Sequence, residues 1–135
     1  MSSDFSSLDA RNAIEAEMPW EARDLPTTIY QRLTKTAVSF PDRPAFSYQI
    51  TSGPKDKAET LTWRQTLEKT TQAANMFRAL GVTETDVIAY IMPNANETVV
   101  TFLGGMVAGI VNPINPLLEP EQIAAILRET NAKVV

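Results

Sequence analysis

Six consecutive residues, Val87-Ile88-Ala89-Tyr90-Ile91-Met92, form an uncharged apolar run that Pro93-Asn94-Ala95-Asn96 ends abruptly. A run of this length suits a β-strand, and one that is apolar at every position needs helices over both faces, as parallel strands have. After the break, Val99, Val100, Leu103, Met106 and Val107 recur at helical spacing, with Asn96 placed to cap them. Ile110-Val111 then reads as a short second strand, and Asn112-Pro113-Ile114-Asn115-Pro116 as a constrained loop. Pro120 opens a last helix with Glu121 at the positive end of its dipole, Ile123, Ile126 and Leu127 inward and Asn131 as its stop. Lys133-Val134-Val135 begins a third strand. Strand, helix, strand, helix, strand with short links implies parallel pairing and a layered α/β fold.

Upstream, residues 1–24 hold apolar positions too sparse for an element beyond a helical turn at Ile14 and Met18, and read as a loosely ordered leader. From Pro26 to Phe40, Ile29, Leu33, Ala37 and Phe40 recur every three or four positions and predict an amphipathic helix closed by Pro41. Phe46, Tyr48 and Ile50 alternate with smaller or polar residues, Ser52-Gly53-Pro54-Lys55 supplies turn chemistry, and Thr60-Leu61-Thr62 resumes an extended pattern, which together predict a β-hairpin. Thr62-Trp63-Arg64-Gln65 has capping-box spacing, with Leu67, Thr70, Ala74, Phe77 and Leu80 on one helical face behind it and Gly81 as a left-handed terminator. The fold class expected is a partial layered α/β domain with mostly parallel strands and an N-terminal hairpin. Strands run about five or six residues, so a sequence that reaches Val135 as its third strand opens is read as a truncated fragment, with a frayed edge strand as the alternative.

Composition removes much chemistry. The 135 residues contain no cysteine and no histidine, which excludes disulfides, thiolate nucleophiles, imidazole bases and zinc-thiolate sites. A net charge of −4, with the twelve Lys and Arg scattered, argues against nucleic acid or an anionic membrane as partner. Asp4, Asp9, Glu15 and Glu17 interrupt any secretory signal, so the expected location is cytoplasmic. Gly105 and Gly109 form a G-x-x-x-G pair, but Val99 to Val111 would span only about 20 Å as a helix against a hydrocarbon core of about 30 Å. Close helix–sheet packing explains the pair better than a membrane helix. Gly104, Gly105 and Gly109 also lie after the strand-to-helix turn, not in it, and so do not make a phosphate loop.

The loop Pro93 to Asn96 leaves the carboxyl end of a central strand, where open α/β sheets bind ligands. Asn94 and Asn96 could contact a substrate there, but turn formation and helix capping account for both. Asp42-Arg43, Glu84 and Asp86 read as solvated turn charges with nothing near to shift their pKa, and Trp20 and Trp63 as packing indoles.

Three stretches resemble the start of the AMP-forming acyl-CoA synthetases, within the adenylate-forming ligase family. Leu61-Thr62-Trp63 and the helix closing at Arg78-Ala79-Leu80-Gly81-Val82 are similar to the family's Leu-Thr-Tyr/Trp motif and Leu-Gly-Val close. Asp86-Val87-Ile88-Ala89 through Met92-Pro93-Asn94 is similar to its Asp-x-Val-Ala strand ending in Pro-Asn. Val107-Ala108-Gly109-Ile110-Val111-Asn112-Pro113-Ile114-Asn115-Pro116, followed by Glu121-Gln122-Ile123 and Asn131-Ala132-Lys133-Val134-Val135, is similar to its Ala-Gly…Asn-Pro segment and the Ala-Lys-Val passage behind it. Thr66, where Leu is common, Thr85, where Gly is common, and a Gly109 one residue nearer the proline depart from the pattern.

The resemblance implies that residues 25–135 are the first part of the AMP-binding (large N-terminal) domain of a parent enzyme. That parent would use ATP, magnesium and coenzyme A to convert a carboxylic acid through an acyl-adenylate to an acyl-CoA. The family's Pro-Lys-Gly loop and later motifs have no counterpart here, Gly53-Pro54-Lys55 lacking the Ser/Thr-Gly run. No catalytic, cofactor-binding or metal residue is therefore carried over. The expected function is that of a scaffold segment, inactive alone, partnered by the remainder of the ligase and prone to self-association. The alternative is a non-catalytic α/β binding or assembly module derived from such a ligase.

Overall fold

A computed structural model of the chain describes residues 7–51 and 53–135, so Ser52 of the expected hairpin tip and the first six residues of the leader lie outside the described residues. Within the leader, Leu8–Glu17 forms a helix, α1, where sequence periodicity supports only a turn. Local hydrogen bonds hold it: the Ser7 hydroxyl accepts from the Ala10 amide at 3.1 Å, and Arg23 donates to the carbonyls of Ile14 at 2.8 Å and Met18 at 3.1 Å across a 3₁₀ turn at Trp20–Ala22. No residue of α1 is buried, which is why an apolar pattern could not reveal it.

Thr28 caps α2 (Ile29–Ser39), accepting from the Gln31 amide at 3.1 Å, so the helix starts after the position that Pro26 suggested. Leu33 and Ala37 are buried, whereas Phe40 lies past the helix end, exposed, with the Arg43 guanidinium 4.8 Å over its ring. β1 (Pro44–Tyr48) and β2 (Glu59–Thr62) form the expected antiparallel hairpin, pairing Phe46 with Leu61 and Tyr48 with Glu59. Ile50 falls beyond the strand and is exposed. The capping box opens α3 (Trp63–Ala79): the Gln65 backbone amide donates to the Thr62 hydroxyl at 3.3 Å, and the Thr62 backbone amide to the Gln65 side-chain oxygen Oε1 at 3.0 Å. Thr66, Thr70, Ala74 and Phe77 are its buried face; Leu80 sits at the C-cap and is exposed. Gly81 follows at φ 84°, the left-handed conformation a helix terminator needs.

β3 (Val87–Tyr90), β4 (Ile110–Pro113) and β5 (Ala132–Val134) make a parallel sheet in the order β4-β3-β5, with the apolar run central. Ile91 and Met92 extend past the paired residues. Asn112 and Pro113, expected in a loop, pair with Ala89 and Tyr90. Pro113 is tolerated because β4 is an edge strand, where a missing donor leaves no partner unsatisfied. Glu119 and Gln122 form a capping box at α5 (Pro120–Glu129), whose Ile123, Ile126 and Leu127 are half-buried, and Asn131 ends it at φ 48°.

α4 (Asn96–Ala108) keeps most of the expected inner face, with Leu103 buried and Val99, Val100 and Val107 half-buried, and adds small residues to it. Leu103, Gly104, Gly105 and Ala108 point inward, while Met106 is exposed. A Cβ on Gly104 would stand 2.5 Å from the Ala73 Cβ and 3.1 Å from the Ala74 amide of α3, and one on Gly105 would stand 2.5 Å from Val111 Cγ2 of β4. Small residues therefore define the inner face by letting α3 and the sheet approach closely, which a pattern weighted by bulk overlooks. Beside it, Phe77, Val82, Ile88 and Ala108 form the core cluster, with Ala73 and Val134 against it. No helix among the described residues is long and apolar enough to cross a membrane. The accessible surface is 9682 Å², whereas a compact monomer of this mass exposes about 7,000 Å².

Candidate functional site

The sheet has two ends with different chemistry. At the amino ends of its strands, Asp86 is not the free turn charge expected from sequence. Its Oδ2 accepts from Lys133 Nζ at 2.8 Å, the Thr83 amide at 2.6 Å and the Thr83 hydroxyl at 2.7 Å. Lys133, foremost, and Thr83 hold the Asp86 carboxyl down at about 2. Lys133 Nζ also donates to the Gly81 carbonyl at 2.6 Å, and the Asp86 carbonyl accepts from the Ile110 amide at 2.9 Å. A Cβ on Gly109 would stand 2.6 Å from that same carbonyl, so glycine is required for β4 to start here. Gly81, Asp86, Gly109 and Lys133 come from all three motif stretches and meet in one place. Sequence reasoning missed the Asp86–Lys133 pair because 47 positions separate them; only the order β4-β3-β5 brings the starts of β3 and β5 together.

At the carboxyl ends, where open sheets bind ligands, the loop after β3 is committed to structure. Asn96 does not cap α4, a position taken by Ala95; it is the first helical residue, buried, and its Nδ2 donates to the Glu59 carbonyl of β2 at 2.9 Å. The Thr98 hydroxyl donates to the Pro93 carbonyl, and Asn94 is exposed. Phe46 and Tyr48 of β1 face this loop across a notch of about 230 Å³. Tyr90, which ends β3, has its phenol pushed up by burial and is no base at neutral pH. A second opening, about 340 Å³, lies between α3 and α4, with Leu61, Ala73, Met76 and Val100 as apolar lining and Lys69 and Glu97 at its sides.

The glycine-bearing places that might suggest a phosphate cradle are occupied by protein groups. At the hairpin tip, Asp56 already accepts from the Gly53 amide at 2.9 Å and from the Thr51 hydroxyl, placing a carboxylate where a phosphate would need donors. Gln49 Nε2 donates inward to the carbonyls of Gly53 at 3.1 Å and Asp56 at 2.8 Å. The spaces beside Gly104, Gly105 and Gly109 are filled by protein atoms. Among the described residues there is no group of three or more carboxylate, histidine or cysteine side chains able to hold a metal ion.

The arrangement is thus an α/β fold with a parallel sheet, in which Gly81, Asp86, Gly109 and Lys133 join the starts of the strands. Residues 33–135 match the family described as AMP-binding enzyme, and the chain belongs to that family. It is 29% identical over 108 residues to marinolic acid–CoA ligase of Pseudoalteromonas sp., covering 80% of this chain and 16% of that protein. It is 27% identical over 133 residues to the long-chain-fatty-acid–CoA ligase of Bacillus subtilis, covering 90% of this chain and 22% of that protein. Among solved structures, the inhibitor-bound N-terminal domain of FACL13 from Mycobacterium tuberculosis superposes with a TM-score of 0.68 at 27% identity, over 80% of this chain and 26% of that one. The N-terminal subdomain of Klebsiella oxytoca NpsA, bound to anthranilyl-AMSN, shares the fold with a TM-score of 0.67 at 18% identity, over 78% of this chain and 26% of that one. The fold is that of an N-terminal part of an adenylate-forming ligase, and the chain spans 16% to 22% of the length of the CoA-ligase relatives it matches.

Proposed function

We propose that residues 25–135, behind a leader at 1–24, are the first part of the large N-terminal domain of an ATP-dependent acyl-CoA synthetase, and that they serve it as scaffold. The parent enzyme would activate a carboxylic acid with ATP and magnesium and transfer the acyl group to coenzyme A, as the names of the CoA-ligase relatives suggest. Its reactive groups would lie outside these 135 residues, leaving the segment inactive by itself. The observation that carries this reading is the convergence of the three motif stretches on Gly81, Asp86, Gly109 and Lys133 at the amino ends of the strands. That end is opposite to the one open sheets use for ligands, so these four of the residues that give the resemblance act as fasteners.

The large exposed surface supports the same reading, since Phe102, Met106, Ile110 and Val135 are all more than a third exposed. Such area would be covered by the rest of the ligase, or by self-association when the segment is alone. The proposed location is cytoplasmic, although two of the plant relatives, the butyrate–CoA and benzoate–CoA ligases of Arabidopsis thaliana, are named as peroxisomal. Pyrophosphate release with ATP, magnesium and a panel of carboxylic acids tests the proposal: the segment should give none.

A further inference from the structure

We propose that Lys133 is a latch that positions edge strand β5, fastening it to the α3–β3 turn through Gly81 and Asp86. The pairing of β5 with β3 is irregular between Val87 and Ile88, so the backbone ladder there is imperfect and a side-chain contact adds to it. Lys133 carries the polar side chain of β5, between Ala132 and Val134, and both of its hydrogen bonds run to the α3–β3 turn. Its ammonium joins a carbonyl that terminates α3, at 2.6 Å, to a carboxylate that opens β3, at 2.8 Å. Thr83 fixes that carboxylate from its amide and its hydroxyl, so the acceptor is oriented before β5 arrives. Gly109 and Ile110 pack on the backbone of the same Asp86, which links β4 to the same point.

The amino ends of the three strands are therefore held by one cluster. Lys133 is half-exposed, with 41% of its side-chain surface accessible, so a change in its charge acts on the latch without first unfolding the core. Motion in β5 should then pivot about Lys133, and the strand's register should depend on the charge and reach of this one side chain.

Hydrogen exchange on the full chain, with Lys133→Met, Lys133→Arg, Asp86→Ala and the double variant Lys133→Met/Asp86→Ala, tests this. Lys133→Met should speed exchange of the β5 amides about tenfold or more, since it removes both charge-assisted hydrogen bonds of the ammonium and even one is worth about that much. Exchange in α3 and α4 should stay unchanged, and Lys133→Arg should restore most of the protection. Asp86→Ala, which leaves the bond to the Gly81 carbonyl, should give a rise no larger than that of Lys133→Met, and the double variant should add little to Lys133→Met because that change already removes both arms of the latch. Unchanged exchange in β5, an equal rise throughout α3 and α4, no rescue by arginine, or full additivity would each overturn the proposal.

Discussion

Replacing Gly104 with alanine sets two effects of opposite sign against each other. In the middle of a helix, alanine is favoured over glycine by about 1 kcal/mol, so a solvent-facing Gly104 would give a more stable variant. Here the new Cβ would stand 2.5 Å from the Ala73 Cβ, 3.1 Å from the Ala74 amide nitrogen and 3.2 Å from the Thr70 carbonyl oxygen. Carbon atoms rest about 3.5–4.0 Å apart, so the first contact is short by at least about 1 Å. Two of the three atoms belong to the α3 backbone and cannot rotate away, so the helices must separate. Overpacking of this kind costs about 1–3 kcal/mol, and the rigid surroundings place Gly104 in the upper part of that range. The net expectation is a loss of about 1–2 kcal/mol, a fall in Tm of about 4–8 °C for a chain of this size. Urea unfolding followed by circular dichroism measures it. Gly105→Ala is the matched comparison: its nearest obstacle, also at 2.5 Å, is a Val111 side-chain methyl that can turn, so its loss should be smaller. A gain of about 1 kcal/mol for Gly104→Ala would refute the account of α3–α4 packing.

Thr70 is fully buried and its hydroxyl has no hydrogen-bond partner among the described residues, so Thr70→Val should keep the shape, remove the unsatisfied group and raise stability by about 1 kcal/mol. A loss of that size in the same urea assay would mean that the hydroxyl is bonded in solution. Because the folded Asp86 carboxyl sits at about 2, below its ordinary value of 3.8, its stabilisation is present above that ordinary value and disappears as pH falls through about 2. The difference in urea midpoint between the wild-type chain and Asp86→Asn should therefore close between about pH 4 and pH 2; a difference that stays constant to pH 2 would contradict the pairing with Lys133.

Elements that announce themselves by local rules were legible in the sequence. The capping box at Thr62, the apolar strand at Val87, the proline start of α5 and the left-handed Gly81 each rest on a few neighbouring residues, and each is where the rules place it. What escaped was decided by neighbours distant in the chain. The inner face of α4 is set by glycines that admit Ala73 and Val111, and hydropathy gives a missing side chain no weight. Asn96 satisfies the cap pattern, yet it is drawn inward by the Glu59 carbonyl, 37 residues away. Asp86 has no charged neighbour in sequence able to lower its pKa; the neighbour arrives with β5. α1 was missed for another reason, since it buries nothing and depends on Ser7 and Arg23. The candidate site was legible only as family resemblance, because the cluster of Gly81, Asp86, Gly109 and Lys133 is assembled from three separate stretches of the chain.

The central claim is that this segment is framework and that the groups acting on ATP are encoded outside it. Pyrophosphate release, measured side by side for the 135-residue chain and for the whole product of its reading frame, tests the claim most directly. With magnesium, ATP and a panel of carboxylic acids, the account predicts acid-dependent release by the whole product and a blank rate for the segment. Saturable, acid-dependent release by the segment alone, or a reading frame that stops at Val135, would contradict it.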